Sequence, residues 1–125
     1  VLSSVLLLAG CGASTLPEFE AEQTNRDLIA DASTWAPEIN PDSTRYVGEV
    51  EGAELYLARG EGKTCLVHIR DQEWEQMGCG AGGGFGAELD SGTLIEVGTY
   101  KFPEDRVGGE ERTKLSESVY VISNP

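Results

Sequence analysis

Thr64-Cys-Leu-Val-His-Ile-Arg70, Asp71-Gln-Glu73 and Trp74-Glu-Gln-Met-Gly-Cys79 decide the fold. The outer two stretches read as strands and the middle one as a turn, because β-branched and apolar residues flank a short polar break. With a three-residue loop, position 70 faces 74. Five steps back along each strand then bring Cys65 opposite Cys79. Residues directly opposed in an antiparallel pair are close enough to bridge. Such a bridge closes a loop of about 15 residues, worth about 3 kcal/mol from loop-closure entropy. A redox-active pair is the rival reading and lacks the Cys-x-x-Cys spacing. Free thiols are the third.

The same alternation extends both ways from this hairpin. Strands are predicted over 45–50, 54–59, 85–89, 93–97 and 116–122. Glu51-Gly52 and Asp90-Ser-Gly92 read as turns, Gly60-Glu-Gly-Lys63 as a four-residue hairpin loop and 104–111 as a polar loop. Short strands at this spacing predict an all-β domain, a small antiparallel sandwich or barrel with one disulfide. Leu55, Leu57, Leu66, Val67, Ile69, Trp74, Leu94, Val119 and Val121 are the expected core. No helix of useful length is predicted beyond residue 45.

Ahead of the domain, positions 12–44 hold seven acidic residues and one basic residue, Arg26. This stretch is expected to be a solvated, self-repelling tether with room for a short helix over 19–32. Glu18, Glu20 and Glu22 scatter around any such helix, and no calcium-loop pattern is present. Earlier still, 1–10 carry no charge and run through Leu8-Ala9-Gly10 into Cys11. These residues resemble the lipobox of bacterial lipoproteins. An apolar run this short reads as a processed signal and not as a membrane span. The resemblance implies diacylation of Cys11, which would become the first residue of the mature chain and the lipid anchor. The expected organisation is therefore 1–11 signal remnant and lipobox, 12–44 acidic tether and 45–125 β domain. Lipid on Cys11 also leaves Cys65 and Cys79 to pair in an oxidising compartment.

A second resemblance rests on Ser43-Thr-Arg-Tyr-Val-Gly-Glu49, Cys-Leu-Val at 65–67, Gly-Cys-Gly at 78–80 and Leu-Ser-Glu-Ser-Val-Tyr-Val at 115–121. Together they are similar to a group of uncharacterised exported proteins of actinobacteria. The resemblance implies a small β domain outside the cytoplasmic membrane and brings no catalytic residues with it.

Composition narrows the partners. With 9 Lys+Arg against 22 Asp+Glu, the net charge is −13. That argues against nucleic acid, which needs basic clusters, and against electrostatic docking on anionic lipid. Gly78-Cys-Gly80-Ala-Gly-Gly83 fits Gly-x-Gly-x-x-Gly literally. A dinucleotide site needs a helix after it, and Gly84-Phe85-Gly86 does not start one. A tight glycine connection is the expected role, with a backbone-lined ligand edge as the alternative. His68 is the sole histidine. Cys65 and His68 fall on opposite faces of a strand, and zinc wants three or four ligands. As a general base His68 would need a nucleophile and an orienting carboxylate. Ser116, Ser118 and Asp71 exist, but no Gly-x-Ser-x-Gly does. A partly exposed sheet histidine is expected.

No catalytic residue, cofactor or metal is predicted. The expected function is a non-enzymatic binding module, lipid-anchored at the outer face of the cytoplasmic membrane, whose partner is an envelope protein or a small ligand. The alternative is a small envelope hydrolase using clustered carboxylates or His68. Specificity would lie on loops, with the glycine stretch at 80–84 and the loop at 104–111 as candidates; Phe85 and Tyr100 flank them and could anchor a partner, but core packing is the expected role of both.

Overall fold

The computed structural model describes residues 16–107 and 112–122. Cys11 and the lipobox-like Leu8-Ala9-Gly10 before it lie outside the described residues. Eight strands form two antiparallel sheets. In the first, β1 (Arg45–Val50), β2 (Ala53–Gly60), β3 (Lys63–Arg70) and β4 (Glu73–Gly80) lie in sequence order. In the second, β5 (Gly84–Glu88), β6 (Leu94–Gly98), β7 (Arg112–Ser116) and β8 (Val119–Ile122) take the order β5-β6-β8-β7. The main core holds Leu55, Leu57 and Leu66 from the first sheet against Phe85, Ile95, Val97 and Val119 from the second. The two sheets stay separate, so the architecture is an open sandwich and not a closed barrel.

The decisive hairpin reaches its predicted pairing by a different route. Arg70 faces Glu73, so the turn has two residues, Asp71 and Gln72, both at positive φ (54° and 67°). That is the turn whose twist suits an antiparallel hairpin. A bulge then leaves Glu75 without a partner, and His68 faces Gln76. One residue fewer in the turn and one more in the strand cancel, so Cys65 faces Cys79 and the two are bonded. The loop at 60–63 likewise tightens to the two-residue turn Glu61-Gly62, with Gly60 facing Lys63.

Strand β7 escaped the sequence pattern. Arg-Thr-Lys-Leu-Ser is polar because β7 is an edge strand with exposed residues on it. The expected strand over 116–122 is instead broken at Glu117-Ser118, and only its second half forms β8. Of the expected core, Trp74 and Val121 are only partly buried.

The expected solvated tether is the larger correction. Its described part, 16–44, lies on the sandwich. Ala36 and Ile39 are buried with Tyr56, Ala58, Cys65, Val67 and Ile69 on the outer face of the first sheet. Three acidic or basic side chains fasten the segment to the two sheets. The Glu18 carboxylate accepts from Ser116 Oγ (2.5 Å) and Ser118 N (2.7 Å). Asp27 Oδ1 accepts from Tyr46 N (2.9 Å). The Arg26 guanidinium lies 3.5 Å above the Tyr46 ring and donates to Tyr56 Oη (2.8 Å). Helix in this segment is short and divided, with single helical turns at Pro17–Glu20, Asn25–Asp27, Ala32–Trp35 and Pro41–Ser43 in place of one helix over 19–32.

The second sheet is covered too. Residues 99–103 cross its outer face, where Phe102 packs on Leu94 and Ile122. Glu96 is fully buried there. It accepts from Phe102 N (2.9 Å) and from Arg112 Nε (2.9 Å), and Arg112 also donates to the Phe102 carbonyl (3.3 Å). Burial opposes ionisation of Glu96, but Arg112 and the Phe102 N–H outweigh it and hold the carboxyl below its ordinary value.

Two outcomes are expected. Non-reduced digests should yield a peptide joined through Cys65 and Cys79, and replacing both by Ala should cost about 3 kcal/mol in urea unfolding. For Glu96, the folded value lies below the unfolded one of about 4.3. Its contribution is therefore present above that pH and lost as the pH falls through the folded value. Arg112→Ala leaves a buried carboxylate uncompensated. The variant's deficit in urea midpoint should be widest at neutral pH and should narrow as the pH falls below the unfolded value of about 4.3 and on through the lowered folded value of the parent protein.

Candidate functional site

Two places gather polar chemistry, at opposite ends of the first sheet. One surrounds His68. Strand β3 points Leu66 and His68 toward the second sheet, so His68 is 1% exposed and not the partly exposed histidine expected. Gln76 Nε2 lies 3.1 Å from His68 Nδ1 and also donates to the Glu88 carbonyl (3.1 Å). An amide nitrogen only donates, so Nδ1 accepts and Nε2 carries the proton of the neutral ring. That Nε2–H is buried and has no hydrogen-bond partner among the described residues. The bulge turns Glu75 to the same end, where Oε2 accepts from Arg70 Nε (2.9 Å). The Arg70 contact holds the Glu75 carboxyl below its ordinary value. Burial pushes the His68 imidazole below its ordinary 6.5, against the opposing pull of Glu75 and Asp90.

This cluster does not assemble a nucleophile with its base. Ser116 and Ser118 are engaged by Glu18 at the β7–β8 turn. Asp71 sits in the hairpin turn at positive φ. Among the described residues, no group of three or more His, Cys, Asp or Glu is placed to hold a metal ion.

The other place is an open groove of about 560 Å³, built where the N-terminal segment meets the far end of β2. Asn40 starts the turn Pro41–Ser43, its Oδ1 accepting from Asp42 N (2.9 Å). Ile39 bridges Gly60, and Asn40 N donates to the Arg59 carbonyl (2.8 Å). A Cβ at position 60 would stand 2.8 Å from the Glu38 carbonyl, so the segment can lie this close only to glycine. Ser43 Oγ accepts from Arg59 N (2.8 Å), which fixes the backbone of the groove wall.

Two arginines line it. The Arg45 guanidinium is consumed by carbonyls, donating to Ala21 (2.9 Å), Asp42 (3.1 Å) and Thr44 (3.0 Å). The Arg59 guanidinium lies 5.6 Å over the Phe19 ring and has no hydrogen-bond or ion-pair partner among the described residues. Glu38, Asp42 and Glu61 are exposed on the rim. The sequence reading missed this groove. Most of its wall comes from the stretch taken for a tether, and no local spacing joins Phe19 to Arg59.

The glycine stretch behaves as a close-packed connection. Gly82 takes φ +78°, while a Cβ on Gly84 would meet the Thr99 and Tyr100 amides at 2.7 and 2.6 Å. It leads into β5 and not into a helix. Phe85 is a core residue, whereas Tyr100 is 36% exposed and packs edge-on against Phe102. Of the loop at 104–111, Glu104–Val107 form a single helical turn, and 108–111 lie outside the described residues.

Comparison with family models, with curated proteins and with solved structures finds no match for the chain.

One titration checks the His68 environment. Its folded value is lowered, so its contribution to stability is present above the unfolded value of about 6.5 and lost as pH falls through the folded one. The imidazole C–H resonances should titrate below that midpoint, and His68→Gln should flatten the loss of stability between about pH 7 and pH 5. A midpoint above 6.5 would contradict the buried neutral ring.

Proposed function

We propose that this chain is a non-enzymatic binding module of the bacterial cell envelope, held at the outer face of the cytoplasmic membrane by lipid on Cys11. The groove supports the binding half: it is open and of a volume typical of small-ligand sites, and it presents a guanidinium with unfilled donors. The anchoring half rests on the lipobox-like Leu8-Ala9-Gly10-Cys11. The Cys65–Cys79 bond adds support, because it leaves Cys11 as the one cysteine not spoken for. The partner is a small ligand or an envelope protein.

The hydrolase alternative draws on one observation, the placing of Glu75 and Asp90 beside His68. Burial of the ring and the engagement of both serines elsewhere weigh against it.

The chain expressed in a bacterial host should partition into detergent and take up labelled palmitate, and Cys11→Ala should abolish both. Equal membrane retention of that variant would sink the anchor. Generic ester, peptide and glycan substrates should give no turnover. Turnover abolished by His68→Ala or Glu75→Gln would replace the binding module with the hydrolase.

A further inference from the structure

The groove carries charges of both signs without pairing them. Arg45 and Arg59 line it, and Glu38, Asp42 and Glu61 stand on its rim. Neither arginine forms an ion pair among the described residues, although carboxylates outnumber them here as they do over the whole chain. Arg45 explains itself, since three carbonyls take up its donors. Arg59 does not. Its guanidinium lies 5.6 Å from the centre of the Phe19 ring, a cation–π contact that takes up none of the N–H donors of its planar fork. That fork matches a carboxylate or phosphate through two parallel hydrogen bonds.

The rim sets a second condition. A simple anion approaching Arg59 meets three carboxylates, and like-charge repulsion works against it. A simple cation meets the rim favourably and Arg59 unfavourably. A molecule with an acidic group at one end and an ammonium at the other satisfies both. Its acid would fill the fork, and its ammonium would lie among the rim carboxylates. We infer that the groove between Arg59 and the Glu38, Asp42 and Glu61 rim is a site for a small zwitterion, an amino acid or a short peptide with both termini free. This deepens the binding-module reading and rests on it.

The test uses the full chain and triglycine as the probe, followed through backbone amide resonances. Triglycine should shift amides at 38–43 and 59–61. Acetylating its amino end or amidating its carboxyl end should each weaken binding at least about tenfold, the size expected for losing one charge-assisted contact. Arg59→Gln should lose triglycine binding to the same extent while keeping the amide spectrum of the fold. Glu61→Gln, in an exposed turn, should weaken free triglycine without changing the response to its N-acetyl form. Equal binding of the capped and free peptides, equal binding of inorganic phosphate, shifts confined to other surfaces, or no response to any probe would each overturn the zwitterion site. Those results leave the anchor and turnover measurements standing, so failure of this site and failure of the binding module can be told apart.

Discussion

From Cys65 to Ile69 strand β3 has no solvent face, and the rest of the structure follows from that. Leu66 and His68 point toward the second sheet, while Cys65, Val67 and Ile69 point the other way. A sheet strand buried on both sides needs a cover on each. The second sheet supplies one. The other must come from the N-terminal segment, which brings Ala36 and Ile39 onto Val67 and Cys65. The burial of His68 has the same origin. A histidine on the inner face of a two-sided strand is desolvated whatever its chemistry, and a neutral ring held by Gln76 is the lowest-cost form it can take there.

The acidic excess looks different once the segment is docked. Several carboxylates act as acceptors for groups that would otherwise lack partners. Glu18 takes the Ser118 amide, Asp27 takes the Tyr46 amide and Glu96 takes the Phe102 amide. Each bond joins segments distant in sequence or a loop to a sheet. Charge-assisted bonds of this kind are stronger than neutral ones, and the carboxyls of all three are held below their ordinary values despite the opposing effect of burial. Repulsion among the acidic side chains therefore does not expel the segment, because those nearest the sheets are matched by donors.

How much of this was legible divides along locality. The Cys65–Cys79 pairing was, because a hairpin register depends on residues close in sequence. It survived a wrong turn length because the bulge at Glu75 restored the count. The two-sided burial was written in Leu55-Tyr-Leu-Ala58 and Leu66-Val-His-Ile69, continuous runs that do not alternate. Weighted fully, those runs would have demanded a second cover. Strand β7 and the docking of 16–44 were not legible, since Arg112 to Glu96 and Glu18 to Ser116 are contacts that no spacing rule anticipates. The groove inherits that illegibility, being made where two such segments meet.

That joint origin gives the groove its place in the molecule. Its walls at 38–43 belong to the N-terminal segment, and Arg59 and Gly60 belong to the sheet. A chain trimmed to 45–125 would keep the hairpins and lose the site, and it would also expose Tyr56, Val67 and Ile69. The boundary suggested by composition thus cuts through the structural unit. It matters for tethering as well. Phe19 is eight residues from Cys11, a reach of at most about 28 Å when fully extended. With lipid on Cys11, the segment that completes the groove would be the segment held at the membrane, and Phe19 in the groove wall would stay within that reach of the anchored residue. A free spacer of 33 residues would let the domain roam, whereas the docked segment would keep the site on a short lead from any lipid on Cys11.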